Sequence, residues 1–352
     1  MNPAEAVLPL RIGTDVDRDA VTAFVNAHPE GTPFHLPAWI EAVDAATGQR
    51  GHMLVATRGS RIEGVLPLTA MRSMLFGKAL VSSGFAVDGG VLAASDAAAD
   101  VLLAEGWRLA EQLGCPSLEL RGGAMPAGEG WQHKLDVYAG FTRPLGADDE
   151  ADLAAIPRKQ RAEVRKALAA DMAVTVGRCT TDRLAHYAVY AESVRNLGTP
   201  VFPRRLFDAV LDRFGEDADI LTVWHEGEAV SSVLSLYHRG VVMPYWGGGT
   251  WGARALRANE LMYFALMRHA RQRGCTAFDF GRSKLGTGAF AYKKNWGFEP
   301  RPLGYAVRTA DGAAPREVNP LSPRYRMQVA TWKKLPLWVA NRLGPPLARG
   351  LG

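Results

Sequence analysis

Within the stretch FDFGRSKLGTGAFAYKKNWGFEP, Phe278–Pro300, two residues are of types that move protons or stabilise charge: Asp279 and Lys293. A carboxylate can hold an amine or take its proton, and an ammonium can stabilise a developing oxyanion. Side chains alternate along a strand, so Asp279 faces away from Phe278 and Phe280. With those two rings in a core, the acid turns toward a cleft. The plainer alternative is that Asp279 caps a loop or pairs with Arg282. A short helix over Gly288–Gly297 brings Lys293 back toward the strand end; the alternative is a surface lysine. Lys284, Lys293 and Lys294 are three of only nine lysines in an arginine-rich chain. Gly286-Thr287-Gly288 is open to two readings, a close approach to phosphate or a turn into the helix.

Other polar and aromatic residues fall where they can bind a ligand. Arg254 and Arg257 stand at the start of a long helix and can grip phosphate by side chain. Tyr245 and Trp246 precede Gly247-Gly248-Gly249 at a strand end and can line an acceptor, or belong to a core. Arg158 and Arg161 share a helical face with Arg165, at spacings i, i+3 and i+7. Cys115, Cys179 and Cys275 are far apart, and the eight histidines form no H-E-x-x-H or H-x-H, so no metal is expected. No Ser-His-Asp or Cys-His pairing stands out.

These residues need elements to position them. Strands are expected at Met53–Thr57 and Ile62–Ala70 around an Arg58-Gly59-Ser60 turn, at Ala79–Ser83, Gly90–Ala93 and Ser117–Arg121, with a helix at Ala97–Leu113. A three-stranded meander follows at Ile220–His225, Ala229–Tyr237 and Gly240–Trp246. Then come a long helix, Arg257–Gly274, a strand, Thr276–Gly281, and a last strand, Arg301–Arg308. The segments WRLAEQLGCPSLELRG from Trp107 and MRHARQRGCTAFDFGR from Met267 align without gaps at an offset of 160. Glu119 then matches Asp279, which reads as a duplicated unit. Only the second copy continues into a lysine-aromatic-glycine element.

A chain of 352 residues exceeds one comfortable core. Its net charge is +5, but the segment from Arg316 onward carries seven cations and one acid, or +6, which leaves −1 for the rest. The basic balance therefore belongs to the tail and does not argue that the body binds nucleic acid. That tail mixes Trp332, Leu335, Leu337, Trp338 and Leu343 with Arg324–Arg349, which fits peripheral contact with an anionic membrane. Sparse cysteines, no leader-like N-terminus and no apolar run long enough to span a bilayer point to a cytoplasmic protein, peripheral at most at the inner membrane face.

The order of meander, helix and strand resembles the GNAT acyltransferase fold. There a donor lies against the central helix and its pyrophosphate is usually held by a glycine-rich helix start. At the matching place, Gly252–Glu260, those glycines are absent. Asp279-Phe280-Gly281, Tyr292-Lys293-Lys294-Asn295-Trp296-Gly297 and the arginine-rich Arg158–Lys166 resemble the FemA/FemB/FemX superfamily. The nearest likeness is to FemAB-related proteins of exosortase and PEP-CTERM systems. The resemblance implies an α/β (α+β) fold of two tandem GNAT-like domains, each a mixed central sheet flanked by helices. They are expected at 1–155 and 156–315, with the active site in the second, ahead of a basic amphipathic tail at 316–352.

It also implies transfer of an acyl or aminoacyl group to an amine of a cell-envelope or exopolysaccharide precursor. Lys293 takes the place of the superfamily's important lysine. On the chemistry alone, Asp279 is expected to position the amine, and Arg282, Lys284, Tyr292 and Trp296 to bind around them. No permanently bound cofactor is expected. The co-substrate is acyl-CoA or aminoacyl-tRNA; the helical coiled-coil arm of many tRNA users is missing here. An acyl-CoA-dependent acetyltransferase and a non-catalytic glycan- or partner-binding module are the other readings.

Overall fold

A computed structural model describes residues 9–14, 17–73, 77–312 and 323–352, without the side chains of 323–326. The chain divides into two compact units, each taking segments from both halves of the sequence: 1–136 with 303–318 and 349–352, and 137–302 with 319–348. Arg316, Arg324 and Arg326 of the tail lie outside the described side chains.

The first unit holds β1 (Leu10–Gly13), α1 (Arg18–Ala27), α2 (Pro37–Thr47), β2 (Arg50–Arg58), β3 (Arg61–Ser73), β4 (Gly77–Ser82), β5 (Leu92–Ala93), α3 (Asp96–Gln112) and β6 (Ser117–Arg121). Strands β1 to β4 pair antiparallel in sequence order, β5 adds to β3, and β6 runs parallel to β4. Its core is built from Leu54, Leu66, Leu68, Leu80, Leu102, Leu118 and neighbours, between the sheet and α3.

The second unit begins in β7 (Trp131–Pro144), followed by α4 (Asp149–Ala155), α5 (Arg158–Leu168), β8 (Ala173–Gly177), α6 (Thr180–Leu197) and α7 (Arg204–Phe214). The meander β9 (Ala218–His225), β10 (Glu228–His238) and β11 (Val241–Gly249) leads to α8 (Ala253–Leu256) and α9 (Ala258–Gln272). Then come β12 (Ala277–Asp279), β13 (Ser283–Lys284) and α10 (Gly288–Asn295). Antiparallel pairing runs from β8 to β11, and β12 lies parallel to β11. Strand β10 is buried along nearly its whole length, as a central strand covered on both faces must be. Helix α9 supplies Leu261, Met262, Phe264, Leu266 and Met267 to the core beside Phe278 and Phe280.

The strands of the two units share one plan, but the last strand of each unit comes from the other half of the sequence. Strand β7 follows β6 in the chain and pairs antiparallel with β12, setting Thr142 opposite Asp279. Strand β14 (Pro300–Thr309) follows α10 and pairs antiparallel with β6, setting Tyr305 opposite Arg121. The boundary expected at 155/156 divides the two copies along the sequence, whereas the compact units cross it through these two strands. Beyond β14, α11 (Pro323–Lys333) and α12 (Leu337–Ala348) both pack on α6, with Pro336 marking the break between them. Among the described residues, no helix is long and apolar enough to cross a membrane.

Candidate active site

The site is built where β11 and β12 part. They pair only at Val241–Ala277 and Val242–Phe278, after which β11 runs on to Gly249 while β12 ends at Asp279. One cause is visible in β11. Leu234 pairs with Trp246 but Ser235 pairs with Pro244, so Tyr245 is an extra residue, a bulge. Pro244 has no N–H to give the ladder, and a bulge bends its strand and raises its twist.

Asp279 is the last residue of β12. Its carboxylate Oδ1 accepts the Gly281 N–H at 2.8 Å, a turn that Gly281 allows with a φ of +70°. The Thr142 hydroxyl across the ladder also donates to it. Burial raises the Asp279 pKa, against the opposing pull of the Gly281 N–H, Thr142 and the Lys293 charge. Among the described residues it forms no salt bridge, and the Arg282 guanidinium lies over the Tyr138 ring at 4.4 Å. The loop-capping expectation is therefore met through Gly281, at the same strand end that meets Lys293.

Lys293 on α10 reaches back to that strand end. Its Nζ donates to the carbonyls of Gly281 at 3.1 Å and Arg282 at 2.9 Å, and lies 5.4 and 5.6 Å from the Phe141 and Phe280 ring centres. An ammonium has three N–H donors, so one is left for a ligand. Burial, with the Arg282 charge adding to it and Asp279 opposing it, lowers the Lys293 pKa to about 8. At neutral pH such a lysine is still mostly charged.

The helix carrying this lysine is fixed by its aromatic face. Trp296 is wholly buried, packed with Tyr263, Phe280 and Tyr292. A ring held this way is worth about 3–5 kcal/mol against alanine. Trp296 is thus a core residue and not the substrate contact expected from the sequence. The same correction applies to Trp246, which is 4% exposed and packs on Phe207 at 4.7 Å. Tyr245, turned out by the bulge, is half-buried. The glycines after it serve packing: a Cβ on Gly248 would lie 2.1 Å from Ser193 Oγ.

The expected cationic contacts divide. Arg158 and Arg254 are exposed, while Arg161 donates from Nε to the Ile156 carbonyl at 3.1 Å and Arg257 is paired with Glu163. Lys166 and Arg257 together hold the Glu163 carboxyl down at about 2. Lys284 lies on β13, its backbone paired with Tyr138. One acid absent from the sequence reading sits close by. Glu260, in the first turn of α9, is raised by burial and lies beside Gln160 and the Tyr292 hydroxyl. Its only sequence signal is a carboxylate inside the apolar run ANELMYFALM.

In the loop ahead of α9, several N–H groups are engaged within the protein. The N–H groups of Thr250, Ala253, Ala255 and Arg257 donate to the carbonyls of Val230, Thr250, Gly252 and Arg254. The Trp251 N–H donates to the Glu192 carboxylate at 2.7 Å, which sets a negative group against the loop. In the first unit, Glu119 is engaged differently from Asp279. It pairs with Arg121 at 2.8 Å, and Arg121 and Tyr305 also hold the carbonyls of Ala86 and Val87 in the loop after β4.

Residues 158–294 match the acetyltransferase (GNAT) domain family. No curated protein sequence matches the chain. Among solved structures, FemX superposes with a TM-score of 0.69 at 16% identity, covering 86% of this chain and 98% of FemX. A tandem GNAT protein from the clavulanic acid biosynthesis pathway gives 0.55 at 13%, covering 87% of this chain and all of its own. The C-terminal domain of a protein provisionally assigned as a lysylphosphatidylglycerol synthetase from Agrobacterium fabrum also gives 0.55 at 13%, covering 83% and 92%. The fold is thus a tandem GNAT fold, mixed sheets flanked by helices, with the matched acetyltransferase domain inside the unit that carries Asp279 and Lys293.

Proposed function

We propose that the protein is an N-acyltransferase of the Fem-like kind, moving an acyl or aminoacyl group from an activated ester or thioester to an amine. The observation that carries this reading is the meeting of Asp279 and Lys293 at the open end of β12. Asp279, whose pKa burial raises, holds the incoming amine and receives its proton as the nitrogen attacks. The spare N–H of Lys293 faces the oxygen of the tetrahedral intermediate and stabilises its charge. With no nucleophile–base pair at the site among the described residues, the acyl group passes directly to the amine, and the donor's alcohol or thiol leaves with the proton that Asp279 took from the amine. The acceptor is an amine on a cell-envelope or exopolysaccharide precursor, a choice supported by the FemX likeness and by the FemAB-type motifs. Tyr245, Tyr292, Arg282 and Lys284 are the residues to bind it.

The donor is an acyl-CoA or an aminoacyl-tRNA, and the exposed Arg254 and Arg158 are the side chains to meet its phosphates. The test is incubation of the purified protein with an amine acceptor and either acetyl-CoA or charged tRNA, read by mass of the product. Transfer from one of the two donors is the expected result, and which one it is names the donor class. Transfer from acetyl-CoA alone would assign the donor to coenzyme A, and acceptor left unmodified by both would remove the enzyme reading in favour of a binding module.

A further inference from the structure

Helix α12 has one face with a partner and one without. Ala340, Gly344 and Ala348 are buried at spacings of four residues, with Gly344 against Val201. The opposite arc presents Trp338 at 73% exposure and Leu343 at 48%, with Arg342 between them. Lys333 and Lys334, both exposed, precede the helix, and the stem of Lys333 passes over Gly198 next to Leu197, itself 68% exposed. From Pro323 to Gly352 there is no acidic residue.

We propose that this face docks the second unit on an anionic lipid surface. Trp338 and Leu343 would sit at the boundary between headgroups and acyl chains. Arg342, Lys333 and Lys334 would extend along the surface to lipid phosphates. The charge pattern selects this occupant over a second copy of the chain. A symmetric contact would set the same three cations against each other with no acid to neutralise them. A polyanion such as nucleic acid would pair with the cations and leave the tryptophan and leucines uncovered. The proposal is independent of the catalytic reading, since none of these residues belongs to the β12 site.

Sedimentation of the full chain with vesicles of phosphatidylglycerol and phosphatidylcholine, against phosphatidylcholine alone, tests it. Binding is expected only to the anionic vesicles, and salt should weaken it. Removing the charge of Lys333 or Lys334 as glutamine should cost about fivefold each. Trp338→Ser with Leu343→Ser should cost about tenfold or more. Light scattering on the same samples reads self-association, and circular dichroism checks that each variant keeps its fold; the lysine variants carry the test if the serine pair does not fold. Failure of the wild type to bind anionic vesicles would overturn the proposal. So would binding by folded variants equal to the wild type, or a dimer that Trp338→Ser dissolves without any vesicle binding.

Discussion

At the residue scale, Asp279 and Lys293 are each shifted by burial toward the neutral form, and each resists that shift in the other. Near neutrality Lys293 keeps its charge, and that charge favours the ionised form of the carboxyl beside it. If the charged lysine stabilises the oxyanion, kcat/KM should fall as pH rises through about 8, the value set for Lys293. In Lys293→Arg that alkaline limb should move beyond the measurable range, even with a lower rate, because guanidinium stays charged. An unchanged limb in the arginine variant would contradict the assignment. Stability has the opposite dependence. Below about 8 the folded state carries a buried charge at a cost, and the cost is relieved as pH rises from there to the ordinary lysine value.

At the element scale, the elements that bear chemistry were legible because their signals are local. The two copies of helix, Gly-Cys and strand are seen in α3 with Gly114 at a φ of +63° and in α9 with Gly274 at +79°, each ahead of its strand. The two-residue turn at Gly59-Ser60 and the helix of Lys293 were likewise readable. What was not readable depends on pairing across the chain. Strand β7 shows only Ala139 and Phe141 fully buried in its length, so its alternation is faint, and its partner β12 is far away in sequence. The bulge at Tyr245 rotates the next residue inward, so aromatic type alone could not tell that Trp246 is core and Tyr245 is not. In the sequence Glu260 is one acid at a helix start, and only the fold brings Gln160 and Tyr292 beside it.

At the scale of the whole molecule, the exchanged strands make each unit depend on the other half of the sequence. A fragment of residues 1–155 keeps β1 to β6 but lacks β14, and so loses Ala306 from its core and the cover over the edge of β6. It should show no sharp thermal transition by circular dichroism; a cooperative transition would contradict this dependence. The swap also places Phe141 and Thr142, from the first half of the sequence, beside Lys293 and Asp279. The central claim, that these two residues form an acyltransfer site, is tested most directly by single-turnover transfer to an amine acceptor in Asp279→Asn and Lys293→Ala. Both variants should keep the wild-type melting temperature to within a few degrees and lose about a hundredfold or more in rate. Folded variants that transfer at the wild-type rate would contradict it.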